Sequence, residues 1–512
     1  MALFLGVDLS TQQIKGIVID STGSVLYDAC VLYDNELTKY KTTNGRIVKD
    51  GNRVTSPVLM WVDAIDILFF KLKEKLGPNT SRIRAIGGAA QIKAESESDY
   101  KNTERISLTS SFLPSILLGK YAPIEVSDAS GMNLLDVQTR KWSRHFCDDE
   151  LLSKLGPEPV LFGEALGYLN NYFVEKFGFN KECLVCSMTG DNPGNISFVD
   201  SLSSSTFSEG INSSNKITVT ISLGTSDTVI FPMNKYPYSL ESPLPSANDY
   251  IGNIFVHPSL PNKWALLLGY KNGSLARELV CGRLSNCNSK YISEDSKWLR
   301  FYDIYNSTPI SNNEFGFYYI LQEITPRVSG IHRFSRISNE TENDVDIVSG
   351  ASGSKFKHIT INESSITDSD ARLIIKSQIM SMKLDCTRKG LDIESDIGKL
   401  VITGGASKNE VIMQTISDVF NIPVYTIDNN QTSDSNGVGI DISSLSMPAM
   451  AGAISASLCY SKSQLSASLI SDDIRPSYSL RLSKTPIEQN SKNYRDQMED
   501  FSLLRDHLES LF

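Results

Sequence analysis

The residue best suited to chemistry in this sequence is Asp191, which follows an apolar segment expected to form a buried strand. That segment, 183–188, leads through Thr189-Gly190 to the carboxylate, and Asn192-Pro193-Gly194 follow it. A carboxylate in a glycine-flanked turn at a strand end can reach a cleft. There it can accept a proton from a hydroxyl group, a role usually worth about 10²–10⁴ in rate. The alternative is an ordinary turn, in which Asp and Asn bond to local backbone and Pro fixes φ.

Two short segments are near copies of each other and favour the functional interpretation of Asp191. Asp8-Leu-Ser-Thr-Gln-Gln13 and Ser222-Leu-Gly-Thr-Ser-Asp227 each lie between two apolar runs. Each pattern predicts a strand, a tight polar turn and a second strand. Turns of this kind leave backbone N–H groups pointing at one place, and such nests bind phosphate. Two copies, at the starts of two halves of the chain, predict two lobes that bind one nucleotide between them.

The two turns differ at their first residue, which is Asp8 in one and Ser222 in the other. An acidic side chain beside polyphosphate is repelled unless a cation lies between them. Asp8 therefore indicates Mg²⁺, bound through water; the alternative is a turn Asp that bonds to its own backbone. In the second turn we expect Gly224 and Thr225 to lie nearest the γ-phosphate, because Gly allows close backbone approach and Thr supplies a hydroxyl.

A third turn, Gly404-Gly405-Ala406-Ser407, connects a predicted strand to a predicted helix. Small residues allow a nucleotide to lie against the backbone, and the amino end of a helix favours negative charge. The motif is weak alone, because many strand-to-helix turns have this composition. The five histidines have no metal-ligand spacing, and no Ser-His-Asp or Cys-His arrangement is indicated.

The elements around these turns predict an α/β fold with a duplicated plan. In the first half, three strands are followed by a helix over 57–76 and a strand at 83–86. In the second half, strands at 217–221, 228–232 and 264–269 precede a helix near 370–390 and a strand at 400–403. A last helix is predicted over 409–420. Strands that alternate with helices are typical of α/β lobes.

Length and composition limit the functional class. A chain of 512 residues, 40% of them hydrophobic, is expected to form two large domains. Its formal charge of −10 argues against a general nucleic-acid or membrane binder, which needs a clustered basic surface. No signal peptide is visible, and no apolar run reaches the roughly 18 residues of a membrane span. Eight scattered cysteines suit reduced thiols, so we expect a cytoplasmic protein.

Four Ser/Asn-rich stretches and the tail differ from the rest of the chain. The stretches 200–216, 283–297, 336–371 and 428–446 have few apolar anchors and are interpreted as poorly ordered surface insertions. The tail from Thr485 predicts an amphipathic helix whose apolar stripe packs on its own lobe or forms a dimer contact.

Taken together, these segments resemble the FGGY carbohydrate kinases. The matching segments occur in the family's order between about residues 3 and 460, and only the ordered set is specific. They are GVDLSTQQIK (6–15), TERISLTSSF (103–112), SDASGMNLLD (127–136) with Trp142, TGDNP (189–193), SLGTSDT (222–228), KNGSL (271–275), GFY through EITP (316–326) and TGGAS (403–407).

The resemblance implies two actin-like, ribonuclease H-like lobes with an ATP cleft between them. It implies an N-terminal sugar-binding lobe over 1–208, a C-terminal nucleotide-binding lobe over 209–484 and a C-terminal helix over 485–512. It also implies transfer of the γ-phosphoryl group to the 5-hydroxyl of D-xylulose by a monomer or homodimer. The alternatives are another sugar or polyol kinase of the family, acting on ribulose or glycerol, an actin- or chaperone-like ATPase, and a non-catalytic sugar sensor.

The resemblance also assigns roles to individual residues. Asp191 matches the catalytic base and Asn192 a sugar contact, while Asp8 matches the acidic residue near Mg²⁺. Trp298 is a weaker match to an aromatic that lines the base pocket, with an ordinary packed Trp as the alternative. The residues expected to bind ATP are Ser10, Thr11, Gln12, Gly224, Thr225, Ser226, Trp298, Gly404, Gly405, Ala406 and Asn409.

One departure concerns the sugar site. Family members continue from the strand at 87–91 into a His-Gly pair, a Trp-x-Asp turn and an Arg that contact the sugar. Here Gln91 is followed by Ile92-Lys-Ala-Glu95 and soon by Thr103. Several tens of residues are therefore missing, either left out of the sequence or lost from the protein. The intact flanking segments and the retained Asp191 favour omission; a true deletion predicts an ATP-binding protein with poor sugar turnover.

Overall fold

The computed structural model describes residues 2–49, 53–90, 100–203, 216–234, 236, 252–260, 262–284, 294–337, 346–429, 446–464 and 478–511. Two mixed sheets dominate it. The first sheet has six strands, in the spatial order Val25–Leu32, Gln13–Asp20, Leu3–Leu9, Ile83–Ala90, Leu184–Cys186 and Ala165–Tyr168. The second has seven, in the order Asn253–Val256, Trp264–Tyr270, Asp227–Met233, Ile217–Leu223, Ile397–Thr403, Val424–Asn429 and Tyr478–Lys484.

The two large sheets share one plan, which confirms the predicted two-lobed α/β fold. In each, a central strand pairs antiparallel with the next strand through a tight turn and parallel with a later strand. Leu3–Leu9 and Ile217–Leu223 are these central strands. Ile217–Leu223 alternates apolar residues with Thr and Ser, whereas Leu3–Leu9 is a nearly continuous apolar run, buried at every position. Such runs are typical of strands covered on both faces.

A third sheet and two small hairpins complete the β-structure. The third sheet has four antiparallel strands, in the order Glu314–Tyr319, Gly330–Arg336, Lys355–Ile361 and Ile347–Ser349. The hairpins pair Ile47–Lys49 with Arg53–Thr55 and Leu135–Asp136 with Lys141–Trp142.

The interpretation of 336–371 as a poorly ordered insertion is wrong where the structure describes it. Two strands of the third sheet and the start of a helix lie in this stretch, and Phe356 is fully buried. The alternating sequence Lys355-Phe-Lys-His-Ile-Thr-Ile361 has the period of a strand with one buried face. Most of the other three Ser/Asn-rich stretches lies outside the described residues.

The helices cover the faces of the sheets. The α-helices are Tyr33–Glu36, Val58–Leu76, Thr109–Leu118, Val126–Ser130, Asp149–Leu155, Asn171–Phe177, Asp191–Ser203, Ser274–Leu284, Glu294–Ser307, Ser369–Arg388, Ile393–Asp396, Glu410–Phe420, Met447–Gln464 and Glu488–Ser510. Short 3₁₀ turns span Thr38–Tyr40, Gly77–Arg82, Ala351–Gly353, Glu363–Ser365 and Gly405–Lys408. None of the helices in these ranges is long and apolar enough to cross a membrane.

Two helices connect the lobes. Met447–Gln464 comes late in the chain, within the 209–484 segment, but packs on the first sheet against its strands Leu3–Leu9 and Ile83–Ala90. It also contacts the helix Asp191–Ser203. That second helix buries Ile196 against strands of the second sheet. The amino end of the Asp191–Ser203 helix therefore lies where the two lobes meet.

The tail helix packs within the second lobe. Glu488–Ser510 contacts the helices Glu410–Phe420 and Ser369–Arg388, and it buries Phe501 and Leu504 completely. The ends of the predicted stripe, Ile487 and Leu511, remain about half exposed.

Candidate active site

Asp8 lies near the carboxyl end of the central strand of the first sheet and is 7% exposed. Its two oxygens each accept a hydrogen bond at 2.7 Å, Oδ1 from the Ser10 hydroxyl and Oδ2 from the Ser446 hydroxyl. Burial raises the pKa of this carboxyl above its ordinary value, while the two hydroxyls and the charge of Lys15 act in the opposite direction. Ser446 immediately precedes the Met447–Gln464 helix, so the contact fixes that helix to the site.

The turn after Asp8 exposes its tip. Thr11 and Gln12 are exposed, and the turn closes through the Ser10 N–H, which donates to the Gln13 carbonyl at 2.9 Å. Gly45 packs against this turn with φ of +71°, and a Cβ there would lie 1.9 Å from the Thr11 carbonyl oxygen. Only glycine allows this close support.

Asp191 is the first residue of a helix, not only a residue of a turn as we predicted. The turn chemistry persists in part, because the Asn192 backbone N–H donates to Asp191 Oδ1 at 2.7 Å and its side-chain amide donates at 3.2 Å. Pro193 lies in the first helical turn, where its missing N–H costs nothing. Glycine and proline in this segment concealed the helix from pattern analysis.

Asp8 and Asp191 belong to one site. Asp8 is in register with Ala89 on the next strand, and Ala89 bridges to Thr189, two residues before Asp191. Burial raises the pKa of the Asp191 carboxyl to about 6, the Asn192 N–H lowers it, and the negative charge of Asp8 raises it further. The side chain is half-buried, so a carboxyl group with an unusually high pKa borders the interlobe region.

A third carboxyl group, Asp128, borders the same turn, and sequence reasoning assigned it no role. It lies on the short helix Val126–Ser130, and its Oδ2 accepts a hydrogen bond from the Ser110 hydroxyl. Burial raises its pKa to about 7; the Ser110 hydroxyl opposes this, and the charges of Glu125 and Asp191 add to it. The sequence feature that could have identified Asp128 is its position in SDASGMNLLD (127–136), one of the segments that resemble the family.

A buried ion pair holds the second turn that we predict to bind phosphate, Ser222–Asp227. Asp227, which ends this turn, binds Arg277 through two hydrogen bonds of 2.7 and 3.0 Å, and both side chains are at most 3% exposed. Asp227 Oδ1 also accepts from the Gly224 N–H at 3.2 Å. Thr225 and Ser226 are exposed at the tip. The pair therefore fixes the base of the turn and leaves its tip accessible.

The Gly404–Ser407 turn lies beside the second turn. Thr403 is in register with Ser222, and Gly404 has φ of +86°, with a Cβ position only 2.4 Å from the Leu223 carbonyl oxygen. Space is open beside Gly405, where a Cβ would meet nothing within 4 Å. Glycine at 404 is thus required by both conformation and space.

Aromatic side chains lie next to this turn. Asn409 caps the Glu410–Phe420 helix, accepting from the N–H groups of Val411 and Ile412, and its amide donates to the Tyr302 hydroxyl. Trp298 stacks on Tyr302 with ring centroids 6.0 Å apart. Ala406 packs against the core of the second lobe. Trp298 and Asn409 are therefore linked through Tyr302, which sequence reasoning did not identify.

The carboxylates of this site suit a metal ion that is bound jointly by the protein and by substrate phosphates. Among the described residues, no three His, Cys, Asp or Glu side chains converge to form a metal site. Asp8 offers one carboxylate, and Mg²⁺ commonly uses one or two carboxylates with water and substrate phosphates. The burial of Asp8 beside Asp191 makes a nearby cation electrostatically favourable.

Comparison with known proteins agrees with this architecture. Residues 70–195 match the N-terminal domain of the FGGY family of carbohydrate kinases. A xylulose kinase of Rattus norvegicus is 31% identical, the match covering 83% of this chain and 85% of that protein. A xylulose kinase of Schizosaccharomyces pombe is 30% identical, over 83% and 86% of the two chains.

A solved structure shares the fold. The xylulose kinase from Rhodospirillum rubrum superposes with a TM-score of 0.70 over 99% of both chains, at 11% identity. At that identity the likeness speaks for the fold alone. The two sequence relatives establish the family, because they are 30–31% identical to this chain over more than four fifths of their own length. The chain belongs to the FGGY family of carbohydrate kinases.

Proposed function

We propose that this protein transfers the γ-phosphoryl group of ATP to the 5-hydroxyl group of D-xylulose. The observation that carries the proposal is the half-buried carboxyl group of Asp191, which lies at the junction of the lobes and is electrostatically coupled to Asp8. The substrate is inferred from the relatives, which are named xylulose kinases.

In this proposal Asp191 is the general base. Its carboxylate accepts the proton of the attacking hydroxyl as the oxygen bonds to the γ-phosphorus and the bond to ADP breaks. The Asn192 N–H already occupies Asp191 Oδ1 and orients the carboxylate. The side-chain amide nitrogen of Asn192 also donates to Asp191, and its side-chain oxygen contacts the sugar.

The three turns bind the nucleotide. Thr11 and Gln12 bind the β- and γ-phosphates from the first lobe, and Thr225 and Ser226 bind them from the second. The N–H groups of Ser10 and Gly224 are engaged within their own turns, so these two residues fix the turns instead. Both turn tips are exposed and carry backbone N–H groups suited to anions. Gly404, Gly405, Ala406 and Asn409 border the adenosine end, together with Trp298.

We assign Mg²⁺ to the neighbourhood of Asp8. Both oxygens of this carboxylate already accept a serine hydroxyl, which favours contact with the cation through its water shell. When bound, Mg²⁺ neutralises charge on the β- and γ-phosphates. The chain itself contributes positioning, because the two interlobe helices fix both carboxylates.

Water must be kept from competing with the acceptor hydroxyl for the γ-phosphorus. The Asp191–Ser203 helix connects the base directly to the second sheet, so a movement of one lobe relative to the other carries the base with it. Closure around the sugar would assemble the site and limit wasteful ATP hydrolysis.

We expect the rate to depend on pH through Asp191. The base acts only when ionised, and its raised pKa of about 6 means that protonation begins not far below neutrality. The value of kcat, measured at saturating D-xylulose, should be level above pH 7 and fall about tenfold per pH unit below pH 6. The neighbouring Asp128, whose pKa is raised to about 7, would contribute to kcat/KM as well. Steady-state rates from pH 4.5 to 8 measure this. A midpoint near 4 would show that the essential base is an ordinary exposed carboxylate.

Replacing Asp8 with asparagine should raise the Mg²⁺ concentration for half-maximal activity by roughly 10-fold or more, because one charged hydrogen bond to hydrated Mg²⁺ is lost. Initial rates at fixed ATP and varied Mg²⁺ measure this. The matched control is Asp20→Asn at the opposite end of the same hairpin, where Asp20 pairs with Leu3. Equal Mg²⁺ dependence in both variants would remove Asp8 from metal binding.

An ADP-release assay with a panel of acceptors tests the proposed function. We expect ADP formation with D-xylulose at least tenfold faster than with ribulose, glycerol or no acceptor. Fastest turnover with ribulose or glycerol would assign a different substrate within the family. Acceptor-independent ADP release would instead support an ATPase.

A cytoplasmic location and a monomeric or dimeric state remain predictions.

A further inference from the structure

The short helix that carries Asp128 is bound to the turn that immediately precedes the base. Glu125 is 1% exposed, and its carboxylate accepts hydrogen bonds of 2.6 Å from the hydroxyls of Ser127 and Thr189. The N–H groups of Ser127 and Asp128 also donate to Glu125. Thr189 lies two residues before Asp191. This buried network fixes the position of Asp128 relative to the base.

One oxygen of Asp128 is engaged and the other is available. Oδ2 accepts the Ser110 hydroxyl, whereas none of the residues that the structure describes donates a hydrogen bond to Oδ1. Asp128 Oδ1 is not among the fully buried, unpartnered side-chain oxygens of the described residues, so it retains some access to solvent. A buried or half-buried carboxylate oxygen ordinarily has a donor, which makes an external donor the natural partner of this one.

Gly190 provides the space beside that oxygen. A Cβ at residue 190 would lie 2.7 Å from Asp128 Oδ1. The backbone immediately before the base therefore touches Asp128 and could not do so with any larger residue. Asp128 Oδ1 and the base turn consequently border the same space.

The order of the three carboxyl groups gives this space a direction. Asp8 is in register with Ala89, and Ala89 bridges to Thr189, so Asp8 and the turn before the base lie on opposite sides of the strand that carries Ala89. Asp128 contacts that turn directly, at Gly190. If the phosphates lie at Asp8, as proposed above, the acceptor lies on the other side of the base.

We propose that Asp128 is a further sugar-binding residue, whose Oδ1 accepts a hydrogen bond from a secondary hydroxyl of the acceptor. This rests on the proposed function and extends it to a residue that helps to select the acceptor. Ligands of this class are polyhydroxylated, and a carboxylate is a strong acceptor for their hydroxyls. Asp191 takes the hydroxyl that is phosphorylated, and Asp128 holds a neighbouring one.

At pH 8, where Asp128 is ionised, replacing it with alanine should raise KM for D-xylulose by roughly 10- to 100-fold and leave KM for ATP within twofold, since one charged hydrogen bond to the sugar is lost. Asp128→Asn keeps an acceptor oxygen and adds no charge, so it should fold and show an intermediate KM. Asp148→Asn is the control, because Asp148 caps an exposed helix and asparagine caps equally well. Calorimetric titration with D-xylulose should reproduce the order of the affinities.

Deoxy sugars separate direct contact from an indirect effect. Wild-type protein should bind either 3-deoxy- or 4-deoxy-D-xylulose at least tenfold more weakly than D-xylulose, whereas Asp128→Ala should bind that analogue and D-xylulose equally. Independent losses in the variant and the analogue would overturn the contact, and Asp128→Asn supplies the same comparison should the alanine variant fail to fold. Wild-type protein that neither binds nor phosphorylates D-xylulose would refute the proposed function itself. Normal wild-type turnover with unchanged Asp128 variants would refute only this inference.

Discussion

Replacing Asp191 with alanine should lower kcat with D-xylulose by about 10²–10⁴-fold, because the attacking hydroxyl then loses its proton acceptor. The side chain is half-buried, and its carboxyl is destabilised by burial and by the charge of Asp8. Its removal relieves that electrostatic cost, so the variant should fold. Binding of Mg·ATP should persist, because the phosphate turns lie on other elements.

ADP-release assays measure the predicted loss of kcat, and nucleotide titrations measure the predicted retention of Mg·ATP binding. Asp191→Asn keeps the size of the side chain and should be equally slow. Its remaining kcat at saturating D-xylulose should lack the fall centred near pH 6, since the group that titrates there is gone. Turnover within a few fold of wild type in both variants would exclude Asp191 as the base.

Replacing Gly452 with valine should prevent the helix Met447–Gln464 from seating on the first sheet. A Cβ at residue 452 would lie 2.5 Å from the Gly88 backbone nitrogen, and one at Gly6 would lie 1.7 Å from the Ala449 carbonyl oxygen. These contacts are between backbones, which cannot move aside as a side chain can. We expect a loss of roughly 3 kcal/mol or more in the free energy of unfolding, at the upper end for overpacked sites.

Urea unfolding followed by circular dichroism measures this loss. Gly282→Ala is the matched control, because Gly282 lies in the helix Ser274–Leu284 and a Cβ there meets nothing within 4 Å. Alanine at that position should be neutral or stabilising by up to about 1 kcal/mol. The Gly452 variant should also lose activity, since Ser446 and its bond to Asp8 belong to the displaced segment. Equal stability of the two variants would contradict the close packing.

Most of the local structure was predictable because it follows from short-range patterns. The helix predicted over 57–76 is Val58–Leu76, and the helix predicted over 409–420 is Glu410–Phe420 with Asn409 as its cap. Both hairpins form with the predicted turns, at Ser10–Gln12 and Gly224–Ser226. In each case the spacing of apolar residues and a turn or cap residue indicate the same element.

The placement of distant segments was not predictable in this way. The sequence around Met447–Gln464 does not indicate that this helix packs on Leu3–Leu9. Small residues such as Ala449 and Gly452 make the contact, and they give no periodic apolar pattern. The strands at 347–361 were missed because polar residues on their exposed face outnumber the buried ones. Composition misleads where only one face of a short strand is buried.

The candidate site was likewise predictable only in part. Asp8 and Asp191 were found because each follows an apolar strand, and the register of Asp8, Ala89 and Thr189 brings these strand ends together. Asp128 lies more than 60 residues before the base, and long-range contacts bring it there: its own packing against Gly190 and the hydrogen bond from Thr189 to Glu125. Tyr302 reaches Asn409 from a separate helix in the same way. The sugar-contacting segment that we predict to be missing would follow Gln91, which lies outside the described residues.

Sugar phosphorylation is tested most directly by ³¹P NMR of purified protein incubated with Mg·ATP and D-xylulose. We expect one sugar-phosphate signal, assigned to D-xylulose 5-phosphate by its coupling to the C5 protons, to grow in equal amount with ADP. Asp191→Ala should form neither product over the same period. ADP with inorganic phosphate and no sugar phosphate, or no reaction at all, would contradict the assignment.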